Sequence, residues 1–524
     1  MRTGVIFEKE ARAKLMDGVN KLNKAVSTTL GGAGKNVMMV DNMLPPRVTK
    51  DGITVANSIT LDDFIEQAGV ETVRQASARS AKEVGDGTTT ATVIATEILN
   101  RGIKVIDNLN VHDFKEGMEY AYEEVAKHLA DDSEDVSTDG TKLASVATIS
   151  ANGDKKIGEL VAKLVMDLDE DAEIIISEDK TKPKGIYSNI KQGYTFPRGS
   201  NPFFESVKGT GVVDFKDCKI LIVDRYIARI TQLEDFLEFC GQNGHPLVIL
   251  YSTIDQKTLE NLIMSKLQLG AQICAVEFPD AGELQQCSIM DIAEATGAKI
   301  VKDLEDVDMD WLGDLSQFRS DSYNTTLMFK EEFQETVDNT LNALKESVKT
   351  AEGLQASDLK ERIKRLSNGV GEIKIGYTTD IEYKEVYDRV EDAIGAVRSA
   401  IKEGVVVGGG LALLKAINEV QTDLTKGESF VQGALTVLDS CKKPFYQILA
   451  NAGIVDKEAE SIYSSIIDSD YVQGFNVRTK KLENLKELGI IDPKKVTRSA
   501  LLSAVSVASS ILTTDCIIYP VQND

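Results

Sequence analysis

The chain has 524 residues, more than one hydrophobic core can organise, so two or three domains are expected. Hydrophobic residues make up 42%, charged residues 27% and aromatic residues only 6%, which excludes a disordered or fibrous protein and argues against an aromatic platform for nucleic acid. With 83 acidic against 59 basic side chains the formal charge is -24, so nucleic acid and anionic membrane surfaces are repelled and a protein or a cation is the expected partner.

The first residues carry no apolar run long enough for an export signal before Glu8 and Lys9 interrupt it, and a cytoplasmic protein is expected. Residues up to about 135 read as mainly helical: Phe64, Ile65, Val70 and Val73 recur at helix spacing, as do Val111, Phe114, Met118, Val125 and Leu129. Between them stands Val84-Gly-Asp-Gly-Thr-Thr-Thr-Ala-Thr-Val, a glycine turn with an aspartate and three hydroxyls opening into a helix. Amides at a helix N-terminus attract phosphate oxygens, the threonines add donors, and Asp86 suits the accompanying Mg²⁺. The stretch matches neither a P-loop nor a dinucleotide fingerprint, and it equally suits a capped helix with a threonine-rich first turn. Thr29-Leu-Gly-Gly-Ala-Gly-Lys35 and Thr49-Lys-Asp-Gly52 are further turns that can present amides, a cation and a carboxylate, or serve as ordinary loops.

A polar stretch from Ala130 to Gly140 breaks the helical pattern. Beyond it, short β-rich runs at 173–177, 219–223, 246–250, 272–276 and 299–301 alternate with helical segments, the pattern of an α/β domain over about 190–360. A strand at 372–375 follows, and helical periodicity then resumes to the end, with Ala504–Val521 read as a buried helix followed by a strand. Ends of one character around a middle of another indicate nested domains joined by a hinge. In the helix around Val390, Ile394, Val397 and Ile401 the apolar face leaves Asp392 on the other side, where a solvated acid is the default. Gly408-Gly-Gly410 suits either a flexible joint or a close approach to a ligand. The six cysteines lack metal-ligand or disulfide spacing and read as reduced, buried thiols; His112, His128 and His245 lie far apart.

Together Thr29-Leu-Gly, Asn36-Val, Thr49-Lys-Asp-Gly-Ile-Thr-Val-Ala, Gly85-Asp-Gly-Thr-Thr-Thr-Ala-Thr-Val, Thr148-Ile-Ser-Ala-Asn152, Arg389-Val-Glu-Asp392, Glu403-Gly-Val-Val with Gly408-Gly-Gly410, and Ile491-Asp-Pro-Lys-Lys-Val-Thr-Arg-Ser-Ala500 closely resemble the group I, bacterial-type chaperonins in order and spacing. The resemblance runs from Phe7 to Cys516 and is weakest over 170–350. It implies a multidomain α and α/β fold: an equatorial ATPase domain (1–135 and 404–524), an intermediate hinge domain (136–190 and 361–403) and an apical client-binding α/β domain (191–360). It implies nucleotide contacts from Thr29, Leu30, Gly31, Lys50, Asp86, Gly87, Thr88, Thr89, Thr90, Ile149, Ser150, Gly408 and Gly409, with Asn476, Val477, Ile490 and Asp492 around base and ribose. Asp86 would ligate Mg²⁺, with K⁺ as an additional candidate cofactor. Asp51 and Asp392 would orient the water that attacks the γ-phosphate of ATP, Asp392 arriving as the intermediate domain closes.

By the same resemblance Phe203, Phe204, Ile230, Leu233, Leu237, Leu259, Ile263 and Met264 offer apolar side chains to unfolded or partly folded proteins, although helical stripes of this kind also pack a domain's own core. The implied activity is ATP-dependent chaperoning by a homo-oligomeric, sevenfold ring. Alternatives are an ATP-independent holdase scaffold and a metabolic phosphotransferase, and need of a co-chaperonin stays open. Departures from the family pattern include Gly32 where proline is usual, Asn368 before Gly369 where two glycines are usual, acidic Glu234 and Asp235, and no Gly-Met-rich tail before Asp524. Tyr446 and Val455 replace an arginine and a glutamate that join stacked rings, so single or readily separating rings are expected. Such divergence fits a member encoded by a virus or a reduced genome.

Overall fold

A computed structural model describes all residues except 1–2, 41–45, 85, 169–171, 180–183, 207–210, 303, 305–307, 350, 352, 368, 423 and 521–524. Gly85 and Asn368, both singled out in the sequence, therefore lie outside the described residues. The chain divides into two compact units, one comprising Met1–Met166, Glu178–Tyr187 and Ile375–Asp524, the other Asp167–Ser177 and Ser188–Lys374.

The first unit is mainly helical. Its core joins apolar faces of the helices Glu8–Val26, Phe64–Val84, Thr88–Val105, Val111–Asp131, Glu428–Ser440 and Lys494–Leu512. The Lys494–Leu512 helix packs on Thr88–Val105 and Phe64–Val84, and Glu428–Ser440 packs on Val111–Asp131, so early and late parts of the chain share one interior. Of the apolar set expected for Val111–Asp131, Phe114, Met118, Val125 and Leu129 are buried, whereas Val111 at the helix start is exposed. Ser and Thr side chains tolerated inside this core bond back to their own helix, as Thr96 Oγ1 does to the Thr92 carbonyl at 2.8 Å. The ends of the described chain are zipped together, Thr3–Phe7 pairing antiparallel with Cys516–Pro520.

Among the described residues the second unit is built on a nine-stranded sheet. Val213–Ile227, Leu247–Ile254 and Ile273–Glu277 run parallel at one end of it, with Ile300–Val301 parallel to the first of them. Helices Glu234–Asn243, Gln256–Leu269 and Gly282–Thr296 alternate with these strands. Ile220, Leu221, Ile222 and Val223 are all fully buried, the uninterrupted apolar run expected where both sheet faces are covered. Asp255 starts the Gln256–Leu269 helix by accepting from the amides of Lys257 and Thr258, and Gly270 ends it in a left-handed cap. Strands Gly313–Ser320, Thr325–Met328 and Gly185–Phe196 extend the sheet antiparallel.

All six cysteines are free; Cys218, Cys240, Cys274 and Cys441 are buried as expected, whereas Cys287 is half-buried and Cys516 exposed. Among the described residues no helix is long and apolar enough to cross a membrane.

Candidate functional site

One cavity of about 750 Å³ in the first unit gathers nearly every expected site residue. Thr29 closes a short 3-10 turn, Ser27–Thr29, and Leu30 and Gly31 follow it into the wall. Lys50 and Asp51 precede the helix Gly52–Asn57, which Asp51 caps by accepting from the amides of Ile53 (3.1 Å) and Thr54 (2.6 Å). Gly87 and Thr88–Thr90 supply the start of the Thr88–Val105 helix, while Ile149 and Ser150 come from the end of Gly140–Ser150. The strand Ile491–Pro493, paired with Val405–Val407, contributes Asp492; Ile490, Asn476 and Val477 complete that side.

Gly408 alone of the expected nucleotide contacts is not on the cavity wall; Gly409 and Gly410 are. Gly408 lies behind Asp492, where an added methyl group would come 3.1 Å from the Ile490 carbonyl and 3.2 Å from Asp492 Oδ1, so its role is to let the two strands' ends close up. Asp392 is not the solvated acid that periodicity suggests. The second face of its helix, Asp380–Glu403, is covered too, and Asp392 lines the cavity with Asp51 and Asp86. Pattern along the sequence missed the apolar wall formed by Ile448, Phe475, Leu485 and Val496, and it missed Arg478, although that residue stands directly after Asn476-Val477.

The electrostatics of the cavity are those of a site short of cations. Burial, opposed by hydrogen bonds from the Gly87 amide and the Ser150 hydroxyl (2.9 Å), raises the Asp86 carboxyl above the ordinary range. Burial pushes Asp392 well above its usual value, with the charges of Asp86 and Asp51 adding to the effect. Asp492 is pushed up to about 6 by burial and then by Asp86, and Asp388, one turn before Asp392, to about 6 by burial and then by Asp51. Lys50 moves the other way: burial lowers it, and the neighbouring charges of Arg478 and Arg389 lower it further.

Three observations test whether these residues suit a metal-bound nucleotide. The Thr88–Val105 helix begins at Gly87, which has no side chain to cap it, so the first-turn amides are not claimed by a side-chain acceptor. Thr88 Oγ1 is buried and has no hydrogen-bond partner. Crowded carboxylates that resist ionisation are relieved by a cation. Among the described residues no three His, Cys, Asp or Glu side chains converge to hold a metal by themselves, which fits Mg²⁺ held by one or two carboxylates and completed by phosphate oxygens. The set fits a metal-bound nucleotide: uncapped amides, hydroxyls and Lys50 suit phosphates, and the Asp86 carboxylate suits the metal.

The expected client-binding residues divide in the second unit. Phe203 and Met264 are exposed, at 65% and 43%. Ile230, Leu237 and Leu259 are half-buried against the core. Phe204 and Leu233 are fully buried and Ile263 is 9% exposed, so these three side chains pack the unit's own interior and are not offered to a partner. Leu267 and Leu269, which the sequence reading passed over, are exposed at the end of the same helix as Met264.

Two solved structures of the chaperonin gp146 from bacteriophage EL 2 (Pseudomonas aeruginosa), crystallised in the presence of ATP-BeFx in two crystal forms, resemble the fold with TM-scores of 0.66 and 0.60. Each is 21% identical and aligns over 99% of both chains, a likeness of architecture over the full length. The profile of the TCP-1/cpn60 chaperonin family matches residues 22–522, and the chain belongs to that family.

Proposed function

We propose that this chaperonin binds and hydrolyses ATP in the cavity of its first unit and uses the cycle to bind and release non-native polypeptides. The observation that carries the reading is the convergence of an uncapped helix N-terminus, the unpartnered Thr88 hydroxyl and three carboxylates held above their ordinary pKa. The similar phage chaperonin was crystallised with an ATP analogue, which supports the same ligand here. Thr29, Leu30, Gly31 and the amides of Gly87–Thr90 would cradle the phosphates, with Lys50 beside them; Ile149, Ser150, Gly409, Asn476, Val477, Ile490 and Asp492 would line the rest of the nucleotide. Mg²⁺, when bound through Asp86, supplies charge neutralisation of the phosphates. Asp51 and Asp392, which line the same cavity as Asp86, would orient the attacking water.

Capture of clients falls to the exposed apolar side chains Phe203, Met264, Leu267 and Leu269. A homo-oligomeric ring follows the family, and a single or readily separating ring is supported by two residues. Tyr446 is engaged within its own chain, packed on Phe445 and Tyr463 with its hydroxyl bonded to Glu460; Val455 is an exposed, uncharged side chain. The test is direct: calorimetric titration with Mg·ATP, then steady-state phosphate release. Absence of ATP binding overturns the proposal, and binding without hydrolysis favours a holdase.

A further inference from the structure

Arg478 lies in the turn joining strands Gly474–Asn476 and Lys481–Glu483, directly after Asn476 and Val477. Its side chain is largely exposed yet reaches the cavity wall. There it spans two loops. A methyl group on Gly153 would come 2.5 Å from Arg478 Nη2, and one on Gly32 would come 3.9 Å from Arg478 Nε, so the guanidinium occupies room that these two glycines leave open. Gly153 also has φ +88°, a conformation that L residues with side chains rarely adopt. Although five N–H donors are available, the guanidinium has no hydrogen-bond or ion-pair partner among the described residues; the turn is tied only through the Arg478 amide, which donates to Asn476 Oδ1 at 3.0 Å. Lys50, on the same cavity, is close enough for the Arg478 charge to lower its pKa further after burial. Lys50 Nζ reaches only the Gly31 carbonyl, at 3.4 Å, and among the described residues neither cation forms an ion pair, so both stay available to an anion in this cavity.

We propose that Arg478 is a phosphate-contacting residue of this site, acting with Lys50 on the polyphosphate of the bound nucleotide. The inference rests on the nucleotide-binding reading above. A guanidinium presents a planar fork that matches phosphate oxygens in pairs, and its fixed charge does not depend on pH. The side chain is exposed and stands at the rim of the cavity, so it can add affinity for the charged tail from outside the buried wall. The site then separates nucleoside triphosphates from nucleosides by electrostatics on one wall, Arg478 with Lys50, and not by the amides of the Thr88–Val105 helix alone.

Full-length protein, Arg478→Ala and Arg478→Lys are titrated with Mg·ATP and, by competition against a fluorescent ATP analogue, with adenosine. Arg478→Ala should raise the Kd for ATP about tenfold, the loss of one charge-assisted contact, while the Kd for adenosine stays within about twofold. Arg478→Lys should recover part of the ATP affinity, and the gap between parent and Arg478→Ala should narrow as salt is raised. Arg478→Gln serves if Arg478→Ala does not fold. Equal ATP affinity in parent and variant, or equal weakening of ATP and adenosine, overturns the role of Arg478 while leaving the nucleotide site standing. A parent protein that binds no ATP overturns the nucleotide reading itself and this inference with it.

Discussion

Replacing Asp492 by Asn should stabilise the ligand-free protein, and by an amount that depends on pH. The Asp492 carboxyl is pushed up from 3.8 to about 6, first by burial and then by the charge of Asp86. In the unfolded chain it ionises near its ordinary value, so between these two points the folded state holds a proton that the unfolded state has lost. Stability therefore falls as pH rises through that window, and the full cost is reached above about pH 7. A difference of this size corresponds to about 3 kcal/mol, an upper figure because the carboxylate faces an open cavity. Asn keeps the shape on the strand Ile491–Pro493 and removes the charge. The variant should gain roughly 2–3 kcal/mol over the parent at pH 8, and the gain should shrink by about half at pH 5. Denaturant unfolding of nucleotide-free protein at several pH values between these limits reads it directly. A gain that is the same at both ends, or a loss at pH 8, refutes the reasoning.

Asp392→Ala should leave ATP binding nearly intact and slow phosphate release by at least about tenfold, because the residue positions water and does not hold the nucleotide. Asp86→Ala should instead weaken Mg·ATP binding itself, as titration calorimetry will register. In the second unit, Met264→Ser and Phe203→Ser should reduce capture of a denatured protein without moving the melting temperature, whereas Leu233→Ser should cost on the order of 2–4 kcal/mol of stability. Native mass measurement with ATP, ADP and no nucleotide tests the ring: a tetradecamer intact in all three states at moderate salt refutes a separating one.

The site was legible because its chemistry is written in short runs. Glycine turns, hydroxyls and charged residues at 29–31, 50–52, 86–90 and 408–410 are distant along the chain yet converge on one cavity, and of these only Gly408 stands behind the wall. What periodicity could not decide was which partner covers a face. For Asp392 the non-apolar side of the helix faces a cavity and not solvent; for Leu233 and Ile263 the apolar side faces the unit's own core. The antiparallel strands at 313–320 and 325–328 escaped notice because polar residues share their buried positions with apolar ones: Gln317, Ser320, Thr325 and Thr326 are at most 5% exposed beside the buried Leu315, Phe318, Leu327 and Met328. The polar ones are satisfied by neighbouring side chains, as in the Ser320–Thr325 and Thr195–Thr326 hydroxyl pairs and the Gln317 amide donating to Asp214, so no clean alternation of apolar residues marks these strands. Pairing of Thr3–Phe7 with Cys516–Pro520 is likewise invisible to any local window.

That last pairing, with the Lys494–Leu512 helix seated on Thr88–Val105 and Phe64–Val84, sets an order for folding during synthesis. Every residue of the second unit has been made once Lys374 is added, and its core can close soon afterwards. The first unit cannot: Ile94, Ile98 and Leu99 wait for Leu501, Val505 and Ala508 of the same core, which lie about 400 residues downstream. At translation rates of about 5–20 residues per second that wait lasts roughly 20–80 s, with the faces that Glu428–Ser440 and Lys494–Leu512 later cover left open. While it is being made, this chaperonin is therefore itself an unfinished chain with apolar surface exposed.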